Sequence, residues 1–258
     1  YMHHEDSAIG ILNKLLGQTN LREQDRAEAK LLLADILLIT DEIWDASLLY
    51  SQVEKSFKYD ELGERAKFKN AKISFYTGDF QWSQAQLNVL KGSTSKLIAN
   101  DALYLSLVIT DNVGLDSNEA PLKLFAEADL LLMQHKDSTA LGLLDSINRL
   151  YPGSSLADDI LYTKYKIVFK SRKYEAAAEY LKDLGAQFPS GILADDAYFK
   201  LAMLYENQLG DKAKAQEYYK KIMFDYPASL YVVEARKRFR ELRGDKPDRK
   251  ENETIILN

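Results

Sequence analysis

One phrase recurs along this chain. Residues 151–159 read YPGSSLADD and residues 188–196 read FPSGILADD, with echoes as STSKLIANDA at 93–102 and YPASLYVVEA at 226–235. A reactive site is normally made once. A phrase rewritten at a regular interval marks a structural unit stacked on copies of itself. Each unit of such an array leaves an apolar face that only its neighbour can bury, so the array is stable only as an array.

The units are helical. In LADDAYFKLAMLYENQ the apolar residues Ala197, Leu201, Met203, Leu204 and Tyr205 recur with helical spacing. A second stripe, Ala215, Tyr218, Tyr219, Ile222 and Met223, follows the polar break LGDK. Tyr226-Pro227 closes this hairpin, because proline cannot continue a helix. Small residues set the register. Ala140, Ala177 and Ala215 each stand 12 residues before a Tyr-Pro or Phe-Pro proline. Ala34, Ala71, Ala128, Tyr165 and Ala202 take the matching place in the first helix of each hairpin, at intervals of 37, 57, 37 and 37. A small side chain at such a point lets two helices approach closely.

Composition narrows the functional classes. Twelve glycines and five prolines in 258 residues argue against a loop-rich β fold. A net charge of −5 removes the electrostatic reason to expect nucleic acid as a partner. With no cysteine there is neither a disulfide framework nor thiolate chemistry, which fits the cytosol and an oxidising envelope equally. The most apolar run, LLLADILLI at 31–39, is too short to span a bilayer and carries Asp35.

A small residue, then GDF (Gly78-Asp79-Phe80) or RKY (Arg172-Lys173-Tyr174), then Ala, an aromatic residue four later and Tyr-Pro together resemble the tetratricopeptide repeat. Residues 156–227 match best, and the likeness extends more loosely over 8–243. The units of 37 residues, longer than the family's usual 34, resemble repeats of bacterial cell-envelope proteins, namely the periplasmic coordinator of the Tol–Pal system and the outer-membrane assembly lipoprotein. The resemblance implies an all-α fold, a right-handed α-α superhelix of eleven to thirteen helices. It also implies a periplasmic or outer-membrane-associated place, with the cytoplasm open as well.

The repeated phrase reads as punctuation. Proline ends one hairpin, Ser155 or Ser190 is placed to cap the next helix, and Ser155 with Asp158 has capping-box spacing. Carboxylates in that first turn complement the helix dipole, which explains Asp158, Asp159, Asp195 and Asp196 without a metal or an acid–base pair. The interval of 57 is one repeat plus about one helix. It predicts a first helix at 99–112 and a long helix from about Asn118 to Gln134 that ends one unit and begins the next. A change of direction is expected near Gly114. The expected organisation is therefore a subarray at 1–113, a second at 114–244 with a capping helix, and a tail at 245–258. Residues 7–16 read as the second helix of a unit whose first helix is missing, as in a fragment of a longer protein.

No constellation suggests catalysis, a cofactor or a metal. His3 and His4 are neighbours and point to different sides of a helix, and His135 stands at a helix end. There is no Gly-rich phosphate loop and no serine in a nucleophile-elbow context. The resemblance offers a binding surface instead. In the family, residues three before, one after and four after the small position of the first helix face a concave groove. Here the first set is Leu31, Phe68, Phe125, Tyr162 and Phe199, and the last is Leu38, Phe75, Leu132, Phe169 and Glu206. Between them stand Asp35, Lys72, Asp129, Lys166 and Met203. An aromatic row among mixed charges suits an extended segment or a helix of a partner protein. The alternative is that these rings pack between neighbouring first helices.

Residues 231–244 read as a last helix whose Arg236, Lys237, Arg238, Arg240 and Arg243 make a solubilising cap or an anion patch. Ile255, Ile256 and Leu257 are expected to dock on the chain or a neighbour. The reading is a non-catalytic scaffold binding a protein or peptide in its groove; an architectural spacer that self-associates is the alternative.

Overall fold

In a computed structural model, the structure describes residues 4–113 and 118–245. Among them it is all helix: α1 (Glu5–Leu16), α2 (Glu23–Ile39), α3 (Ile43–Ser56), α4 (Glu61–Tyr76), α5 (Phe80–Leu90), α6 (Lys96–Asn112), α7 (Ala120–Met133), α8 (Asp137–Leu150), α9 (Ala157–Lys170), α10 (Tyr174–Gln187), α11 (Ala194–Asn207), α12 (Lys212–Asp225) and α13 (Val232–Arg243). The chain makes two compact units, Tyr1–Leu156 and Ala157–Asn258. The division expected at 113/114, with its change of direction near Gly114, falls beside residues outside those described, as does the docking expected of Ile255, Ile256 and Leu257.

Each unit is a solenoid of antiparallel hairpins, and the register read from small residues is its frame. Ala34 against Ala46, Ala128 against Ala140, and Ala202 against Ala215 are all completely buried where the two helices of a hairpin meet. Ala71 meets Ser83, whose buried hydroxyl donates to the Ala71 carbonyl at 2.8 Å, so a serine fills an alanine's place without an orphaned polar group.

The turns repeat as closely as the helices. Seven residues after the small position the backbone turns left-handed, at Asp41, Gly78, His135 and Arg172. The next amide then reaches back five residues, as Glu42 to Leu37, Asp79 to Ser74, Lys136 to Leu131 and Lys173 to Val168, closing the helix end with a Schellman-type bond. In the last hairpin the left-handed residue, Gly210, comes one position later, matching the 13 residues between Ala202 and Ala215. His135 is thus a turn residue.

Two linker expectations are corrected. Ser155 does not act as a capping box; its hydroxyl bonds the Asp111 carbonyl and Asn112 Oδ1, at 3.2 and 2.6 Å. Ser190 makes no cap, and α11 begins after Leu193 without a side-chain cap. The serines that work are two residues past the proline: Ser154 accepts from the Leu156 amide and Ser229 from the Tyr231 amide. That position is Gly191 in the middle linker, where an added Cβ would press on the Phe188 carbonyl oxygen at 3.2 Å.

Helix α7 also departs from expectation. It pairs with α8, but its other face packs on α4 more than on the preceding α6, so it is not the second helix of an α6 hairpin. The cause is its last two turns. Leu130 and Met133 pack on the core built by Ala34, Leu38 and Ile73, Asp129 meets Lys72, and the Gln134 amide donates to the Leu38 carbonyl and to Asp41 Oδ1.

Candidate functional site

In the first unit the first helices α2, α4 and α6 present a common face, and a cleft of about 410 Å³ opens there. Its apolar wall is Leu38, Phe68, Leu97, Ile98 and Met133, the last contributed by the end of α7. Phe68 is half-buried and Leu97 is largely exposed, so the wall is available to a ligand. The rim carries Arg65, Lys69 and Lys72, each already paired: Arg65 with Glu28 at 2.8 Å, Lys69 with Asp35 at 2.6 Å, Lys72 with Asp129 at 2.9 Å.

Those pairs belong to a repeated lock. A tyrosine, a carboxylate and a cation meet across two hairpins. Tyr50 donates to Asp35 Oδ1 at 2.5 Å, on the oxygen that also takes Lys69. Tyr76 joins the Lys72–Asp129 pair, with the Lys72 ammonium 5.3 Å from its ring centre. In the second unit Tyr219 donates to Glu206 at 2.6 Å and Arg238 reaches the other Glu206 oxygen at 3.3 Å. Tyr231 donates to Asp196 at 2.6 Å, Tyr162 bonds the same carboxylate, and Lys200 lies 3.4 Å from it. Burial first, then the adjacent carboxylate, pushes the hydroxyls of Tyr50, Tyr76 and Tyr162 well above the ordinary tyrosine value. Lys72 is pulled down by burial, but Asp129 and then Tyr76 more than reverse this and hold it charged.

The expected groove residues divide. Phe68 and Lys72 line the cleft. Phe75 is completely buried against Phe80, and Phe125 and Leu31 are buried as well; these side chains are core, while Leu38 is buried at the floor of the cleft. Asp129 is held by Lys72, and Leu132 is half-buried. In the second unit Tyr162 is half-buried with the Lys166 ammonium 5.0 Å from its ring centre. Phe169 is exposed at one edge and packs on Tyr165 and Tyr174, both at 5.7 Å. Phe199 stacks on Tyr231 at 4.5 Å and meets Tyr219 edge-on, and Met203 is half-buried beside them in sequence.

The lock itself was missed in the sequence. In the sequence Asp196 reads as helix-dipole punctuation, yet it anchors tyrosines from the hairpins before and after it. A signal existed: the tyrosine four residues after the second helix's small residue, at Tyr50 and Tyr219, recurs with an acid on the first helix of the same hairpin, Asp35 and Glu206.

Among the described residues no three or more His, Asp or Glu side chains gather in a metal-holding cluster, and no helix is long and apolar enough to cross a membrane. No curated protein sequence matches the chain. A family model does: the tetratricopeptide repeat matches residues 196–229, and the α11–α12 hairpin, from Asp196 to Ser229, is a segment the chain shares with that family.

Proposed function

We propose that this chain is a non-catalytic scaffold that binds a segment of another protein on its first-helix face, with the cleft of the first unit as the main seat. Tetratricopeptide repeats generally serve protein–protein interaction, and the repeat at 196–229 supports that class. The observation that carries the reading is the cleft: an apolar wall in which Phe68 is half-buried and Leu97 exposed, with its rim cations Arg65, Lys69 and Lys72 already paired. A partner therefore gains by burying apolar surface there and need not supply anions for those cations. The second unit's Tyr162, Lys166, Phe169, Phe199 and Met203 form an auxiliary contact surface. The likeness of the 37-residue units to bacterial envelope repeats supports a place in a cell-envelope assembly.

The test is capture of partners by the wild-type chain and by a Phe68→Asp, Leu97→Asp variant, with circular dichroism to establish that the variant is folded. A protein held by the wild type and lost by the folded variant is the expected result. Equal retention by both places binding elsewhere. Self-association of the wild type with no captured protein favours the architectural spacer.

A further inference from the structure

A second cleft lies away from the first-helix face, between α3 and α5 over α4. It holds about 350 Å³, within the range of small-molecule sites. Its chemistry is unlike that of the first cleft. The wall is built from carboxamides and hydroxyls, one charged pair (Glu54 and Lys67, 3.3 Å apart) cancels itself at the edge, and the indole of Trp82 stands at the rim, 59% exposed.

The hydrogen bonds in this wall have a direction, and it leaves two groups over. Ser47 donates to Asn70 Oδ1, and Asn70 Nδ2 donates to Ser51 Oγ. Ser51 is thus an acceptor within the wall, and its own O–H has no acceptor among the described residues. Ser74 donates to the Asn70 carbonyl, so it can only accept from Gln86 Nε2, at 3.1 Å. That fixes the Gln86 amide with its carbonyl oxygen toward the remaining space. No described residue donates to this oxygen, which opens on the cleft rather than being sealed in the core. An acceptor and a hydroxyl donor that face the cleft without a protein partner are left to water or to a ligand.

We infer that this cleft binds a neutral saccharide. A sugar hydroxyl donates to Gln86 Oε1, a neighbouring hydroxyl or the ring oxygen accepts from Ser51, and the apolar C–H face of the ring lies on Trp82. An acid or a base has no unpaired counter-ion here, because Glu54 and Lys67 satisfy each other. A purely apolar ligand would strand the amide and the hydroxyl. Only a ligand that is polar, uncharged and flat on one face meets all three conditions.

The chain has two tryptophans, Trp44 and Trp82, so Trp44→Phe leaves Trp82 as the sole indole reporter. The full chain carrying that change is titrated with maltohexaose, cellohexaose and chitohexaose, and with hexaglycine as a neutral peptide control. The expected result is a saturable change in Trp82 emission with at least one saccharide. Gln86→Ala and Ser51→Ala should each weaken it about three- to tenfold, the range for one lost hydrogen bond, while Phe68→Asp on the other face leaves it unchanged. Ser51 is exposed, so its truncation tests the site even where Gln86→Ala lowers the melting temperature. No saturable change with any saccharide overturns the inference, as does an affinity indifferent to both truncations. A response to hexaglycine alone also overturns it and assigns the cleft to polypeptide backbone.

Discussion

The two units use one repeat to make two different first-helix faces. In the first, α7 lies against α4 and ends at Met133, and what it leaves uncovered is a cleft with Phe68 in its wall. In the second, the residue equivalent to Phe68 is Phe199, and Tyr231 is stacked on it at 4.5 Å, filling the space that the first unit leaves open. The same Tyr–carboxylate–cation lock holds the first helices together in both. Repeat identity therefore sets the spacing of the helices. Whether a face is open or paved depends on single ring positions contributed by the next helix.

The sharpest way to break the symmetry between the units is at two helical glycines that let neighbours approach. A Cβ on Gly63 would fall 1.9 Å from the Phe57 carbonyl oxygen, a backbone atom fixed by the α3 end. A Cβ on Gly185 would fall 2.5 Å from the Tyr198 ring, a side chain that can turn away. Gly63→Ala is expected to destabilise the first unit by more than about 3 kcal/mol, and Gly185→Ala the second by about 1–3 kcal/mol. Chemical denaturation checks both. The emission of Trp44 and Trp82, both in the first unit, should respond to the former and hardly at all to the latter.

A smaller effect tests whether α7 is held by its charge pair. Asp129→Ala leaves the half-buried Lys72 without its carboxylate and Tyr76 without one partner. A loss of about 1–2 kcal/mol in the first unit is expected, together with faster hydrogen exchange over α7. No change in exchange would mean that Leu130 and Met133 hold the helix alone.

How far these features were legible depends on the range of the interaction behind them. The helices, the alanine register and the proline stops came straight from spacing, because each is decided within one hairpin. Ser83 kept the register only because its hydroxyl finds the Ala71 carbonyl one helix away. The linker serines were misplaced by one or more positions, since Ser155 is drawn to Asn112, far off in sequence. The position of α7 was missed for the same reason: Asp129 finds Lys72, and Gln134 finds Leu38, across intervening helices. Of the groove set, Phe68 and Lys72 line the cleft, whereas Phe75 and Phe125 are core. Apolar rings at matching repeat positions cannot show by periodicity which one a later helix will cover.

The smallest predicted effect follows from the unequal distribution of buried hydroxyls. In the first unit burial and a carboxylate raise Tyr50 and Tyr76. In the second, burial raises Tyr162, Tyr198, Tyr219, Tyr226 and Tyr231, and pushes Tyr165 and Tyr218 up to about 12. A tyrosine whose folded value lies above its unfolded value of about 10 favours the protonated fold. Its contribution is complete below pH 10 and declines as the pH rises through the folded value, by at most about 1.4 kcal/mol per pH unit for each tyrosine. The second unit should therefore loosen first between pH 10 and 12. Helical ellipticity should fall while the emission maximum of Trp44 and Trp82 stays at its neutral-pH position. Tyr219→Phe removes one such group and leaves Glu206 to Arg238, so it should cost about 1 kcal/mol at pH 7 and less at pH 12. Coincident loss of ellipticity and of the tryptophan signal would mean that the units melt as one, and that the second unit's tyrosines do not set the alkaline limit.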